Sequence, residues 1–520
     1  MEPPDCSDSY RACPCVTQEK PPRVLYLLCR CDGTGAASLQ KSGRQAILCN
    51  ERPGDDCGQR RRFGSTAEGS TSMASRTVGG KEAKSTSRMR RDLRDRISRM
   101  WAFDGHEHLI LPEEHERRAS DCFYLTNHYL NMDLVAAGMP EAAMRSLVDT
   151  TIPLDARWAS FAPFWEVCRT TGYGIAVDRA IKLLYDLPGL STSTYRELSE
   201  RVAQTAGRPE WYEHVLKEEG RIVGSLMDVG STKGNRRYFL PVMRLDAFIM
   251  ARDATSFARA VAPVKAAPTG ADAPATLGAY LQGLDRVIDR HIADGAVGFK
   301  CGLAYRRSIR FEAVDRVTAS RLYEHALAGS LPDAAAESLQ DFLFHEVCDR
   351  AGALGVPYQI HTGLQNGNWG ADIVLTNPVH LTNTLKAHPT TRFDLFHGGY
   401  PYVGELATLA KNFPNAYINA CWLAIISPTV LGRALHEWLD TVPHSKIQAF
   451  GGDYHMPELA CAHGHMAREV VGSVLADRVE IGLLEESDAL TIADRLLRTN
   501  GISLFKIPAP TIAKMTAPLT

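Results

Sequence analysis

Eight short apolar runs, separated by longer stretches with helical spacing from residue 100 onward, constrain this chain more than any other feature. They are 101–105 (WAFDG), 221–228 (RIVGSLMD), 237–244 (RYFLPVMR), 295–300 (GAVGFK), 356–361 (VPYQIH), 392–397 (RFDLFH), 416–420 (AYINA) and 446–453 (KIQAFGGD). Strand alternating with helix is how repeated βα units read in sequence, and eight of them close into an α/β fold of the (β/α)8 TIM-barrel type. The connecting segments agree: Ala275 to Asp294 carries apolar residues at helical spacing and reaches the next run after a short turn. Between the first two runs, the helical patterns at 132–142 and 163–180 predict an inserted lobe over residues 110–220, at the barrel mouth.

The flanks differ in texture. Residues 1–95 lack sustained periodicity and are rich in Gly, Ser, Arg and Cys, which predicts a disordered or loosely attached extension, with the barrel spanning 96–510 and a tail at 511–520. The basic run Lys84 to Arg99 reads as a solvated helix leading into the first strand. Met73 and Met89 leave open a natural start downstream. Seven of the thirteen cysteines precede residue 60, in spacings such as Cys13-x-Cys15 that are tighter than usual zinc modules; the other six are scattered, as reduced thiols in a cytoplasmic enzyme would be. The acidic, proline-containing start predicts no secretory leader, and no run of about eighteen apolar residues predicts a membrane span. A formal net charge of -2 removes the electrostatic case for a nucleic-acid partner and points to a small-molecule substrate.

Polar residues close several of the runs. His106 and His108 stand two apart at the end of the first, so that in an extended segment both imidazoles point to one side and can meet one ion. Lys300, His361, His397 and Asp453 close the fourth, fifth, sixth and eighth, and strand C-terminal ends are where barrel active sites assemble. One histidine alone would more often be a satisfied structural residue; five polar strand ends in this order are hard to dismiss that way. Tyr305, Arg306 and Arg307 follow Lys300, and an Arg fork there suits a substrate carboxylate, although surface ion pairs explain it equally well. Gln365, Asn366, Asn368 and Trp369 form a Gly-rich turn after His361 that can line a pocket or be plain loop chemistry, and Tyr400, Tyr454, His455 and Glu458 flank the other candidate ligands.

The order resembles that of the amidohydrolase superfamily, and GFKCGLAYR (298–306), IHTGL (360–364), LFHGGYPY (395–402), PNAYIN (414–419) and GGDYHMPE (451–458) resemble the amidohydrolase-related domain that nodulin-like and fungal developmental proteins carry fused to a glutamine synthetase. The 520 residues contain no counterpart of the synthetase half. The resemblance implies a divalent metal, zinc first and manganese second, held by His106, His108, His361 and Asp453. It implies Asp453 as the proton carrier and His397 as second-metal ligand or general acid. Lys300 is either a carbamylated bridge between two ions or an ammonium contacting substrate, with one ion favoured. The expected reaction is hydrolysis of an amide, ester or lactone in a carboxylate-bearing small molecule, by a homo-oligomeric enzyme. Non-oxidative decarboxylation and uronate isomerisation use the same cluster, and a barrel without catalysis, serving as a binding scaffold, is the alternative of another class. No phosphate-binding glycine fingerprint or nucleophile elbow predicts an organic cofactor.

Overall fold

The computed structural model of the protein describes residues 79–208, 210–232, 234–262, 273–370 and 372–517. Its centre is a sheet of eight parallel strands in sequential order: β1 (Ala102–Glu107), β2 (Ile222–Met227), β3 (Phe239–Arg244), β4 (Gly298–Cys301), β5 (Tyr358–Ile360), β6 (Phe393–Leu395), β7 (Ala416–Asn419) and β8 (Ile447–Gln448). Each strand is paired in parallel to the next, as right-handed βα crossovers require. Nearly every strand residue is buried, which is why the runs read as continuously apolar rather than alternating. The eighth run is strand only at Ile447–Gln448. Beyond it the chain meets β1 through Gly105 N to Phe450 O (3.2 Å), Asp453 N to His106 O (2.9 Å) and His108 N to Tyr454 O (3.2 Å), so the barrel closes across an irregular seam.

The interior is polar in the middle and apolar at the bottom. Asp394 on β6 accepts from Gln359 Nε2 (3.0 Å), Asn419 Nδ2 (2.9 Å) and Gln448 Nε2 (2.7 Å), and burial pushes its carboxyl up to about 6 against the pull of those donors. Below, at the N-terminal ends of the strands, Phe103, Leu226, Leu240 and Val242 pack with Leu504, Phe505, Ile507 and Met515. Met515 belongs to the helix Ala509–Thr516 and is fully buried. A Cβ on Gly224 would stand 2.3 Å from its Cε. The expected tail at 511–520 is therefore, through residue 516, part of the plug under the barrel: a terminal helix with one apolar face has nowhere else to bury it.

The other flank is corrected in the same way. The basic run lies in the helix Gly79–Ser98, but that helix is not solvated all round: Leu93 and Ile97 are fully buried, and Arg90 pairs with Asp477 and Glu480 of the helix Pro457–Glu480. A boundary at residue 95 thus cuts through a helix packed on the barrel. Residues 1–78 lie outside the described part. No helix among the described residues is long and apolar enough to cross a membrane.

Between β1 and β2 the chain forms a helical lobe, from Pro112–Arg118 to Trp211–Glu213 and a π-helical turn His214–Glu219. Its core is aromatic, with Trp158 stacked on Tyr195 at 4.4 Å and Phe161 against Trp165. One carboxylate fastens lobe to barrel. Glu458, fully buried in the first turn of Pro457–Glu480, accepts from Trp211 Nε1 (2.8 Å), His115 Nε2 (3.1 Å), Tyr124 Oη (3.1 Å) and Tyr185 Oη (3.3 Å). Burial alone would raise its carboxyl, but the His115 and Trp211 hydrogen bonds hold it below the usual range. Replacing Glu458 by Ala strands four buried donors and should cost about 3 kcal/mol or more. Hydrogen exchange should then rise in residues 112–213 and stay low in the strands; equal loosening of both would show that the clasp is not what holds the lobe.

Candidate metal centre

The C-terminal ends of β1, β2, β6 and β8 converge. His108 Nδ1 donates to the Asp228 carbonyl (2.6 Å), and its Nε2 stands 3.2 Å from His106 Nε2 and faces Asp453, whose hydrogen bond raises this imidazole above its ordinary value against the effect of burial. Asp453 Oδ1 lies 3.3 Å from His108 Nε2 and 3.7 Å from His106 Nε2, and Asp228 Oδ2 is 3.9 Å from His106 Nε2. Ligand atoms about 2.1 Å from a tetrahedral zinc stand about 3.4 Å from one another, so this group has the edge lengths of a coordination polyhedron.

A second imidazole pair makes the case for a cation more sharply. His361 Nε2 faces the Leu364 carbonyl (2.8 Å) and His397 Nδ1 faces the Cys421 carbonyl (3.1 Å). Carbonyls only accept, so both of those nitrogens carry hydrogen. What remains is His361 Nδ1 and His397 Nε2, 2.9 Å apart, as two opposed lone pairs. Protonating either ring would relieve the repulsion, but burial holds His397 down at about 4 and His361 well below its ordinary value. Donor chemistry of this kind fits a divalent ion.

The surrounding charges fit as well. Burial would raise the Asp453 carboxyl, yet the hydrogen bond from His108 and the neighbouring His106 hold it well below the usual range, so it is ionised. Burial lowers His106, and Lys300 adds to the effect, which keeps the imidazole neutral and its lone pair available. Lys300 is itself brought down to about 8 by burial, against the pull of Asp453 and Asp228, and its Nζ sits 3.4 Å over the Phe396 ring.

The seam loops hold these groups by strained and crowded backbone. Asp453, His397 and Trp422 all have left-handed backbone (φ 59°, 60° and 67°), rare for residues with a side chain. Gly452 is required, since a Cβ there would lie 1.7 Å from Glu107 Oε1. Beneath His106, burial raises the carboxyls of Asp104 and Glu107, Glu107 the more because Asp104 is beside it. Asp104 accepts from Gly452 N (3.0 Å) and His106 N (3.2 Å), and Glu107 from Tyr454 N (2.7 Å).

Of the residues expected from sequence, His106, His108, Asp453, His397, His361 and Lys300 gather here. His106 and His108 group with Asp228, Asp453 reaches both imidazoles at 3.7 and 3.3 Å while also grouping with His397, and His361 pairs with His397. Tyr305 stands at the rim, its ring 4.6 Å from His361 and its hydroxyl accepting from Asn366 N. Asn366 and His455 line a cavity of about 400 Å³ with His128, Asn131, Met132 and Asn368. Arg307 does not face the site; its guanidinium is buried against Asp341 and Gln340, where it braces a helix. Arg306 and Trp369 are exposed, the latter at 90%, and Tyr400 contributes its backbone carbonyl, which accepts from Leu364 N.

Sequence reasoning passed over Asp228 and Arg244, which close β2 and β3 and pair with each other, although the strand-end rule applied to Lys300 would have found both. It also passed over Cys421, grouped with His397 and Asp453, and over Tyr129, a buried lobe residue near Asp453 whose ring stacks on Trp422 at 4.4 Å. A larger cavity of about 760 Å³ lies away from these groups, between the lobe and the end of the chain; its charges are paired among themselves, as Arg237 with Glu213 and His214 with Glu218.

Residues 269–464 match the sequence profile of the amidohydrolase family. That segment, from before β4 into the helix after β8, is similar in sequence to the amidohydrolases. Over 244 residues, 44% of its length, the chain is 27% identical to Protein fluG of Emericella nidulans; it spans only 28% of the length of that relative. Among solved structures it resembles a glucuronate isomerase of Caulobacter crescentus (17% identity, TM-score 0.66, 84% of this chain and 97% of the other). It also resembles a candidate metal-dependent hydrolase of Lactobacillus casei (18% identity, TM-score 0.55, 80% of this chain and 97% of the other). At such identities the likeness is one of fold. His106→Ala/His108→Ala should lower the metal content of chelator-free preparations by about one equivalent by elemental analysis; unchanged content would remove the first group as a metal centre.

Proposed function

We propose that the protein is a metal-dependent hydrolase acting on a small carboxylate-bearing substrate through an amide, ester or lactone bond. The observation that carries this reading is the ionised Asp453, buried within 3.3 Å of His108 Nε2 and 3.7 Å of His106 Nε2. His106, His108 and Asp453 would hold the ion, with His361 and His397 beside it; zinc suits the mixed nitrogen and carboxylate set. When bound, a divalent ion there supplies Lewis acidity, lowering the pKa of a coordinated water and polarising the scissile carbonyl. Asp453 accepts the proton of the attacking water and returns it to the leaving group. His397, neutral and with its hydrogen committed to the Cys421 carbonyl, acts as a lone-pair donor rather than as the general acid. Arg244, partly exposed beside Asp228, takes the carboxylate-anchoring role that Arg307 cannot. Lys300 contributes positive charge near the developing anion.

A second reading, sugar-acid isomerisation, is favoured by Tyr129. Interconverting neighbouring carbons needs a second proton carrier near the base, and burial keeps this phenol protonated, next to Asp453. The glucuronate isomerase resemblance is consistent with it. Reaction in heavy-oxygen water separates the two: hydrolysis places one solvent oxygen in the product, whereas isomerisation of a uronate yields a ketose of unchanged mass. Under either reading Asp453→Asn should cost about 10²- to 10⁴-fold in kcat with the fold intact; near-normal turnover would remove Asp453 as proton carrier. Tyr129→Phe should cost about 10- to 100-fold in kcat if isomerisation is the reaction. A hydrolase would lose much less and show its change mainly in KM.

A further inference from the structure

Cys421 stands apart from the other described cysteines. All six are buried thiols, but only Cys421 is grouped with other potential ligands: Cys421 Sγ, a His397 ring nitrogen and an Asp453 carboxylate oxygen lie within 4.8 Å of one another. Its surroundings are shaped around that position. The Cys421 amide donates to Asn419 Oδ1 (2.9 Å) and its carbonyl accepts from His397 Nδ1 (3.1 Å), which turns His397 Nε2 inward as a lone pair. Beyond the neighbouring β8, a Cβ on Gly451 would stand 3.0 Å from Cys421 Sγ and 2.8 Å from its Cβ, so a glycine leaves room for the sulfur. Lys300, the residue that would otherwise bridge two ions, is instead placed over the face of Phe396.

We infer that the barrel holds a second cation site in which the Cys421 thiolate, His397 Nε2 and the Asp453 carboxylate are ligands, with His361 Nδ1 as the adjacent donor. The inference extends the proposed function by sharing Asp453 with the first ion. A carboxylate has two oxygens and can serve two ions about 3.5–4 Å apart. A thiolate beside imidazole and carboxylate selects a borderline-soft ion, zinc or cobalt(II), over manganese or magnesium, whose preferred ligands are oxygen.

The test is titration of the full-length, chelator-stripped protein with cobalt(II), following bound metal and the near-ultraviolet thiolate-to-cobalt charge-transfer band. The wild type should take up two equivalents in the barrel, the second generating the band. Cys421→Ser should lose the band and about one equivalent, retaining the other. A band unchanged in Cys421→Ser, or a wild type whose bound cobalt shows no thiolate band, overturns the site. His106→Ala/His108→Ala separates the two claims: if it binds as much cobalt as wild type, the first-site reading fails, whatever Cys421 does. Should Cys421→Ser lose its fold by circular dichroism, X-ray absorption of the zinc-loaded wild type, its exposed thiols alkylated beforehand, reads the same contact. One sulfur about 2.3 Å from zinc upholds the site, and a nitrogen and oxygen shell alone overturns it.

Discussion

The hydrogen bond from Asp453 N to His106 O, where the last strand returns to the first, is the contact on which the site depends. A barrel must close, and here closure is made by residues that also carry the chemistry. His106 and His108 are on one side of the seam and Asp453 on the other, so their separations follow from the backbone register across it. That register is over-determined. Gly452 and Tyr454 donate to Asp104 and Glu107, two neighbouring buried carboxyls, and Gly452 has no Cβ because Glu107 occupies the space. The left-handed backbone at Asp453 is held in place by these contacts, which is how strain of about 1–3 kcal/mol persists at a working position.

Electrostatics then explains why so many polar groups coexist in a barrel. An isolated buried charge is prohibitively costly, so each must be answered nearby. Asp453 is answered by His108 and His106, Asp228 by Arg244, Asp394 by three carboxamides, and Lys300 by an aromatic face together with Asp453 and Asp228. Among the described residues, the facing lone pairs of His361 and His397 have no hydrogen between them to answer their repulsion. That is the location where an added positive charge gains most.

Legibility followed physical cause. The strands were readable because burial on both faces leaves continuous apolar runs, and His106, His108, His397, Lys300 and Asp453 were readable because each ends such a run. Asp228 and Arg244 obey the same rule and were overlooked only because neither stands in a recognisable cluster in sequence. Cys421 and Tyr129 could not be found this way: one lies past the end of β7 on a strained turn, the other comes from the lobe, and their proximity to Asp453 is a product of tertiary packing. Arg307 misled because adjacency to Lys300 in sequence says nothing about direction, and its guanidinium turns away from the site into a buried pair with Asp341. The burial of helix 79–98, expected as a solvated helix, and the helix at 509–516 went unread because, among the described residues, Leu93 and Ile97 in the one and Met515 in the other are too few to register as a periodic face.

The lobe links these threads. A barrel mouth built only from strand ends is open to water, and a carboxylate proton carrier in water loses the control over its protonation that burial confers. The insertion changes this by stacking Tyr173 and Tyr129 over Trp422 and bringing Tyr129 near Asp453. Its own position is set by Glu458, only five residues along the chain from Asp453, so one short segment after β8 carries both the proton carrier and the anchor of the lobe that covers it. Displacing that segment would open the cover and disturb the carboxylate together. Lobe packing is thereby tied to chemistry more tightly than the long insertion would suggest.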